Sequence, residues 1–597
     1  NNNNNNNDNN NNDNNDNNDN NSDFYKGARI ESDISRKLVV SDEAQALRWA
    51  FFAEKLATST KSKSKSNRIN SYGNSNSDSD SNGEVKLDKN TTVIGVIGSG
   101  TMGVGIAATC LLSGFKVILC DSNNKALMTG KQNIEYIIKN LEKKKKIKEG
   151  SSNVYIKNLH ITTNINDYCE KKFNVNIVIE AVFEDINIKK TIFIKLDDIC
   201  NEKCILCSNT SSLDIDIIAK ATRRPNQVLG LHFFSPAHIM KLVEIVKCKH
   251  TDYNTISIIM LFVKNIKKIG VLVTNLPGFV GNRMIFVYAM EAMLLLENGA
   301  SVSQVDGIMN AFGMAMGPFE MADLSGLDVG YKIRLSKGLV LDSNNSNNSD
   351  NDSDIDFLTK EQNKIGKQIQ KQKQKQNLDP SYSAIGDILY KNGRLGSKNG
   401  KGFYKYVQSK GKNMRPVKQV DPVVDELIIL ERQRREIVVA SQKKNQVSGV
   451  YKSRVLATSS PTGSSGSGSG GDSLINEVEI LERLLFSLIN EGFRLLGENG
   501  VLSNRPGDID VIYNYGYGFP AYRGGPMFWI EYEYGLREFY NKLNYYYKKF
   551  PNSVWFEPAP LLIVMLRNNI SLWQIQQNPS LVEKLMSMSQ NHIQSKL

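Results

Sequence analysis

Histidine is scarce in this sequence, with five copies in 597 residues. Cysteine is little commoner, and its seven copies all fall between residues 110 and 248. The odd count, without a secretory signal pattern, argues against a disulfide framework and for a reduced intracellular compartment. Cys204 and Cys207 form a CxxC, but no second pair or His-x-His accompanies them. A tetrahedral site needs four such ligands, so no metal is expected. No run of about 18 apolar residues occurs, which gives no reason to expect a membrane partner. The net charge is +12, yet the basic residues are scattered or held in short runs such as KKKK at 143–146. The aromatic-basic pattern of RNA-binding sheets is missing, so nucleic acid is not an expected partner. The lysine run ends a helical segment, where cations suit the helix dipole.

Apolar side chains are themselves missing from long tracts. Residues 1–22 are almost all Asn and Asp, 61–83 read KSKSKSNRINSYGNSNSDSDSNG, and DSNNSNNSDNDSD at 342–354 leads into KIGKQIQKQKQKQN. Such segments cannot offset the entropy of folding and are expected to be disordered. TGSSGSGSGGDS at 462–473 reads as a flexible linker. The folded part is expected to be roughly 400 residues.

What is present between these tracts has a pattern. TVIGVI (92–97) reads as a buried strand, and Gly98, Gly100 and Gly103 follow it as G-x-G-x-x-G before a helix of small residues. The first glycine permits the tight turn, the second lets a pyrophosphate approach, and the third lets helix and strand pack closely. Thr101 and Met102 lie between the last two glycines, at a helix amino terminus that attracts phosphate. A second strand, KVILC, ends in Asp121, 23 residues after Gly98. An acid there accepts from the ribose hydroxyls and repels a 2′-phosphate, which points to NAD over NADP. NIVIEAV, CILCSNTSSL and VLGLHFF continue the alternation of apolar strand and helix, as an open parallel sheet requires. Ser211 and His232 would both lie at carboxyl ends of its strands, where ligands bind.

SNTSSL, GLHFFSPAHIMKLVEIV, NLPGFVGNR and GMAMGPFEMADLSGLDVG, in that order and spacing, resemble the L-3-hydroxyacyl-CoA dehydrogenase family, most of all the dehydrogenase half of its peroxisomal bifunctional members. The resemblance covers residues 46–60 and most of 90–406 and 476–597. It implies that His232 is the general base, Glu244 its orienting carboxylate, Ser211 a contact to substrate hydroxyl and nicotinamide, and Asn282 a holder of substrate. Asp121, Glu184, Lys189 and Lys398 match NAD-contacting positions, and Lys144 matches one touching the CoA moiety of an acyl-CoA substrate. Ile137 stands where monofunctional relatives carry a CoA-contacting serine, a departure from the pattern. Alcohol oxidation needs a base that titrates near neutral pH, and a carboxylate on the other ring nitrogen fixes the imidazole tautomer. Twelve residues separate His232 from Glu244, so a loop through SPAHIM can bring two consecutive strands and these side chains together. His238, inside that loop, is open between a structural and a substrate-facing role.

The expected fold is an α/β Rossmann-type dinucleotide-binding domain followed by two all-α C-terminal modules of this family, behind a disordered Asn-rich N-terminus. In chain order the expectation is a low-complexity start (1–44), a linker helix (45–60), a disordered linker (61–89) and the NAD-binding domain (90–274). A helical substrate domain (275–406) with a disordered insertion at about 342–378 follows, then a linker (407–475) and a second helical copy (476–597). The repeat is read from LINEGFRLLGENG against VYAMEAMLLLENG, GDIDVIYNYGYGFP against SQVDGIMNAFGMAMGP, and RGGPMFW against GPFEMAD. The second copy would complete the pocket in place of a partner subunit, so a monomer or weak dimer is expected. Ser595-Lys596-Leu597 is the address read by the peroxisomal import receptor, making the peroxisome the expected location. The competing readings are a dehydrogenase of free 3-hydroxyacids and a catalytically silent interaction protein built on the Asn tracts. The resemblance further implies that the hydratase half of the bifunctional members is missing before residue 90. Residues 24–597 should then leave crotonyl-CoA unhydrated, and hydration of that thioester by the purified protein would contradict the expectation.

Overall fold

The structure is a computed structural model, describing residues 41–59, 87–169, 174–340, 382–408, 416–444, 475–498, 505–551 and 553–594. The Asn-rich start, the 342–378 tract, the Gly/Ser linker and the terminal Ser595-Lys596-Leu597 lie outside these residues.

Helix α1 (Asp42–Ala57) starts at Ser41, whose side chain accepts from the Ala44 N–H and satisfies one of the orphan donors of the first turn. The apolar runs then form one eight-stranded sheet: β1 (Val93–Ile97), β2 (Lys116–Cys120), β3 (Leu159–Thr162), β4 (Ile177–Glu180), β5 (Ile205–Ser208), β6 (Val228–Phe233), β7 (Leu242–Lys247) and β8 (Ile269–Thr274), in the order β3-β2-β1-β4-β5-β6-β7-β8. β1 and β4 to β6 are buried along their whole length, because helices cover both faces of the sheet. Among those helices are α2 (Thr101–Leu112), α3 (Asn124–Lys143) and α4 (Ile186–Ile199).

The sheet departs from the all-parallel expectation at one place. β7 runs antiparallel to β6, while β8 is parallel to β7. The eight residues between β6 and β7 hold no helix, too little chain for a parallel crossover, so the strand turns back. The resulting register sets His232 directly opposite Glu244.

The helical part begins with α5 (Gly281–Glu297), α6 (Val302–Phe312) and α7 (Pro318–Ser325). Residues 407–475, expected as a linker, are partly built into it. β9 (Tyr404–Val407) pairs antiparallel with β10 (Val417–Val420), and α8 (Pro422–Lys444) follows. Val424, Leu427 and Ile428 of α8 are buried, and Arg432 donates to the carbonyl of Leu296 in the last turn of α5 and to that of Ala300 just beyond it. The second group of helices contains α9 (Glu477–Gly497), α10 (Pro506–Ile512) and α11 (Pro526–Trp529), with a π-helical turn at Tyr513–Tyr517 after α10.

The two helical groups match in their bonding as well as their sequence. Asp306 accepts from the N–H groups of Phe319 and Glu320 in the first turn of α7, and Asp510 accepts from those of Met527 and Phe528 in the first turn of α11. A third donor completes each carboxylate: the Tyr404 hydroxyl at Asp306 and the Trp49 indole of α1 at Asp510. Burial pushes Asp306 up to about 6 and Asp510 up to about 8, against these hydrogen bonds.

α5 and α9 cross through reciprocal ion pairs. Arg283 binds Glu491 at 2.6 Å, and Arg483 binds Glu291 at 2.5 Å. Arg283 also donates to Glu498, as Arg483 does to Asn298. Each helix therefore presents the same donors and acceptors to the other, the pattern of an isologous contact within one chain. Arg483 and Glu291 are almost fully buried. Arg483→Met leaves Glu291 without its counter-charge and should cost about 3–5 kcal/mol of stability, most of it recovered by adding Glu291→Leu. Urea unfolding of the single and double variants measures this; a single substitution costing under about 1 kcal/mol would remove the pair from its structural role.

Candidate active site

The turn after β1 is shaped for a dinucleotide. Gly98 has φ 100°, a left-handed value, and a Cβ there would lie 2.6 Å from the Ala181 carbonyl. A Cβ on Gly103 would meet the Gly98 carbonyl at 1.8 Å, so the third glycine is what lets α2 seat against the turn. A Cβ on Gly100 would meet nothing within 4 Å, and α2 begins there without a side-chain cap. An uncapped helix amino terminus beside such a glycine is the arrangement that receives a pyrophosphate. Thr101 and Met102 occupy that first turn.

Asp121, at the end of β2, accepts from the Ser99 N–H and hydroxyl through one oxygen and from the Asn123 N–H through the other. Partial burial works against its charge, but these hydrogen bonds outweigh it and hold the carboxyl below its usual range. The acid is therefore a clamp on the glycine turn as well as a candidate ribose contact.

At the far side of the rim, Glu244 Oε2 lies 2.8 Å from His232 Nδ1, and both side chains are buried. Glu244 Oε1 accepts from the Gly281 N–H at 2.9 Å, at the amino terminus of α5. A backbone N–H can only donate, so Glu244 Oε1 is an acceptor; an ionised Glu244 then also accepts from His232 Nδ1–H through Oε2, which leaves the lone pair on Nε2. The cross-strand register, rather than the loop alone, brings the pair together. His238 in the loop is half-buried; burial and then Lys268 hold its imidazole below the ordinary range. The Lys268 ammonium donates to the carbonyls of Ala237 and Met240, which anchors the loop.

Ser211 follows β5 and connects to both sides. Its N–H donates to Glu184 Oε1, which also accepts from the Thr210 hydroxyl, and its carbonyl accepts from Asn282 Nδ2 at 3.2 Å. Asn282 sits one residue after Gly281, in the first turn of α5. Lys189 is almost fully buried behind Glu184, 2.6 Å from Glu180 and 3.3 Å from Glu184. It supports Glu184 from below and presents little surface of its own. Lys398 pairs with Asp328 in the helical part at 2.6 Å and, among the described residues, makes no contact with the glycine turn. Lys144 caps the carboxyl end of α3 and is exposed. Ser211, Asn282, His232, Glu244 and Glu184 are thus one connected group, while Lys398 and Lys144 stand apart from it.

Sequence reading passed over several members of this group. Glu180, at the end of β4, accepts from Ser208, Val182 and Lys189 and ties β4 to β5. Asn209 accepts from the Phe233 N–H, joining the SNTSSL turn to the strand that carries His232. Both are polar residues closing apolar strands, which was the available signal. Tyr513 and Tyr517 enter from the second helical group: Tyr513 donates to the Gly281 carbonyl and Tyr517 to Asn282 Oδ1.

Comparison with known proteins bears on the fold that carries this group. The family model for the 3-hydroxyacyl-CoA dehydrogenase NAD binding domain matches residues 93–276, and that for the C-terminal domain of the same family matches 278–352. The chain is 35% identical over 539 residues to the peroxisomal bifunctional enzyme of Danio rerio, covering 90% of this chain and 63% of that protein. It is 31% identical over 508 residues to the Arabidopsis thaliana peroxisomal fatty acid beta-oxidation multifunctional protein AIM1, covering 85% of this chain and 57% of the relative. It therefore spans less than two thirds of these relatives' length. Among solved structures, the dehydrogenase part of multifunctional enzyme 1 from C. elegans superposes with a TM-score of 0.52 at 26% identity, covering 86% of this chain and 96% of that one. The 3-hydroxybutyryl-CoA dehydrogenase of Escherichia coli shares the fold, with a TM-score of 0.56 at 23% identity, over 79% of this chain and 97% of that one. With these matches, residues 93–276 and 278–352 are the NAD binding and C-terminal domains of the 3-hydroxyacyl-CoA dehydrogenase family.

Proposed function

We propose that the chain oxidises L-3-hydroxyacyl-CoA to 3-ketoacyl-CoA, with NAD as the oxidant, in peroxisomal fatty acid β-oxidation. The observation that carries this reading is the buried His232–Glu244 pair, held at 2.8 Å and joined through Gly281 and Asn282 to Ser211. In this reading the substrate hydroxyl donates its proton to His232 Nε2, and Glu244 steadies the imidazolium that results. NAD, when bound, would supply the acceptor for the hydride of carbon 3. The Ser211 hydroxyl and the Asn282 amide orient the alcohol, so that proton and hydride leave one carbon–oxygen unit together. The amino terminus of α2, with Gly98, Gly100, Thr101, Met102 and Gly103, would hold the pyrophosphate, and Asp121 the ribose. Glu184, backed by Lys189, would face the nicotinamide side of Ser211, Lys398 would contact NAD, and Lys144 would contact the CoA moiety.

The decisive assay follows NADH at 340 nm, a generic absorbance, with L-3-hydroxybutyryl-CoA and L-3-hydroxydecanoyl-CoA. The unaltered chain should turn over at least one of them, prefer NAD to NADP, and ignore the free 3-hydroxyacids. His232→Gln should lower kcat by about 10²–10⁴-fold, the usual yield of general acid–base catalysis, and Glu244→Gln should lower it by less. A His232→Gln rate within tenfold of the parent would sink the mechanism.

The reciprocal contacts of α5 and α9 support a reading in which the second helical group stands where a partner subunit would otherwise sit. The peroxisomal location rests on the relatives' names and on Ser595-Lys596-Leu597 as an address for the import receptor. A fluorescent protein ending in residues 588–597 should collect in peroxisomes and lose that pattern when Leu597 is deleted; diffuse signal from the intact tail would count against the address.

A further inference from the structure

The two helical groups differ by one residue at an informative place. In the first, α6 runs from Asp306 to a left-handed glycine, Gly313, seven residues on. In the second, the corresponding segment runs from Asp510 to left-handed Gly518, eight residues on. The extra residue is absorbed as the π-helical turn at Tyr513–Tyr517, a distortion that recurs at functional sites. The residue before that glycine is Tyr517 in the second group and Phe312 in the first, so the second group differs there by a phenol hydroxyl as well as by the π-helical turn.

This turn is pressed against the active site. The Tyr517 ring meets Phe234 edge-on at 5.5 Å, and Phe234 lies 4.8 Å from the His232 ring. A Cβ on Gly281 would lie 2.7 Å from the Tyr517 ring, and one on Gly516 would lie 2.6 Å from Leu242, so glycine at both positions admits the turn. The Tyr517 hydroxyl reaches Asn282 Oδ1 at 2.8 Å. Burial, and then the nearby Glu244, push the phenol well above its ordinary value, so it stays a hydrogen-bond donor at any working pH.

The orientation of the Asn282 amide follows by elimination. The Ser211 carbonyl can only accept, so Nδ2 must face it. Oδ1 is then left facing Tyr517, whose hydroxyl must be the donor. One hydrogen of Nδ2 goes to Ser211, and the second is available to a ligand beside Ser211.

Building on the dehydrogenase reading above, we propose that Tyr517 is a positioning residue, supplied by the second helical group, which fixes the Asn282 amide so that Nδ2 faces Ser211 and the substrate oxygen. Without the hydroxyl, Asn282 Oδ1 loses its donor and the amide is held by the Ser211 carbonyl alone.

Tyr517→Phe keeps the ring stack and removes only that donor. In the full chain it should lower kcat for L-3-hydroxyacyl-CoA by about 10- to 100-fold, as misplacement of a substrate contact does, with the KM for NAD unchanged. The discriminating readout is a double-mutant cycle: in an Asn282→Ala background, Tyr517→Phe should cause no further loss. The cycle reads coupling even where a variant is less stable, since thermal melts of all four proteins give the temperature at which each is assayed folded. A Tyr517→Phe rate within twofold of the parent, or an equal loss in both backgrounds, overturns the role of Tyr517 while leaving the dehydrogenase reading standing. No turnover by the unaltered chain overturns that reading, and this role with it.

Discussion

The crossing of α5 and α9 is the constraint on which the site depends. Three consecutive residues in the first turn of α5 have different duties. Gly281 orients Glu244, Asn282 reaches Ser211, and Arg283 is tied to Glu491 and Glu498 of α9. A shift of α5 along its axis would move all three at once. The arginine–glutamate pairs, one of them almost fully buried, oppose such a shift, because each charge loses its partner if the helices slide. The geometry of the candidate site is thus tied to these ion pairs.

The sheet contributes the second half of the same geometry. Reversal of β7 relative to β6 turns a twelve-residue sequence separation into a direct cross-strand pair, with Glu244 fully buried between His232 and Gly281. A carboxylate so placed would be costly without donors on both oxygens, and it has them. The same economy appears at Asp306 and Asp510, each of which caps a following helix and takes one further donor from a distant segment. In the first group that donor comes from Tyr404 near β9, in the second from Trp49 of α1. This explains why α1, far away in sequence, packs beside α10.

Much of this was legible before any coordinates. The glycine triplet, Asp121 and the strand ends carrying Ser211 and His232 follow from local patterns, because short-range backbone needs dictate those residue types. The sequence likeness of the two helical groups has a parallel in the matched carboxylates Asp306 and Asp510. What sequence could not convey was direction and depth. The antiparallel turn depends on how little chain separates two strands, and the burial of Lys189 depends on two acids from neighbouring elements. Helix α8 escaped notice because Val424, Leu427 and Ile428 are a narrow apolar stripe in a charged segment flanked by low-complexity sequence. Tyr517 escaped because it lies 235 residues from its partner, in the group without a histidine.

The reciprocal contact between α5 and α9 has one more consequence. Where such a contact joins two identical chains, every substitution is imposed twice, and a change that helps one face must be tolerated by the other. Here each face has its own codons. A tyrosine and an inserted residue can stand before Gly518 while phenylalanine stands before Gly313. Two similar helical groups carried on one polypeptide thus let a reciprocal contact join faces that are not identical, so that one can change where the other is kept.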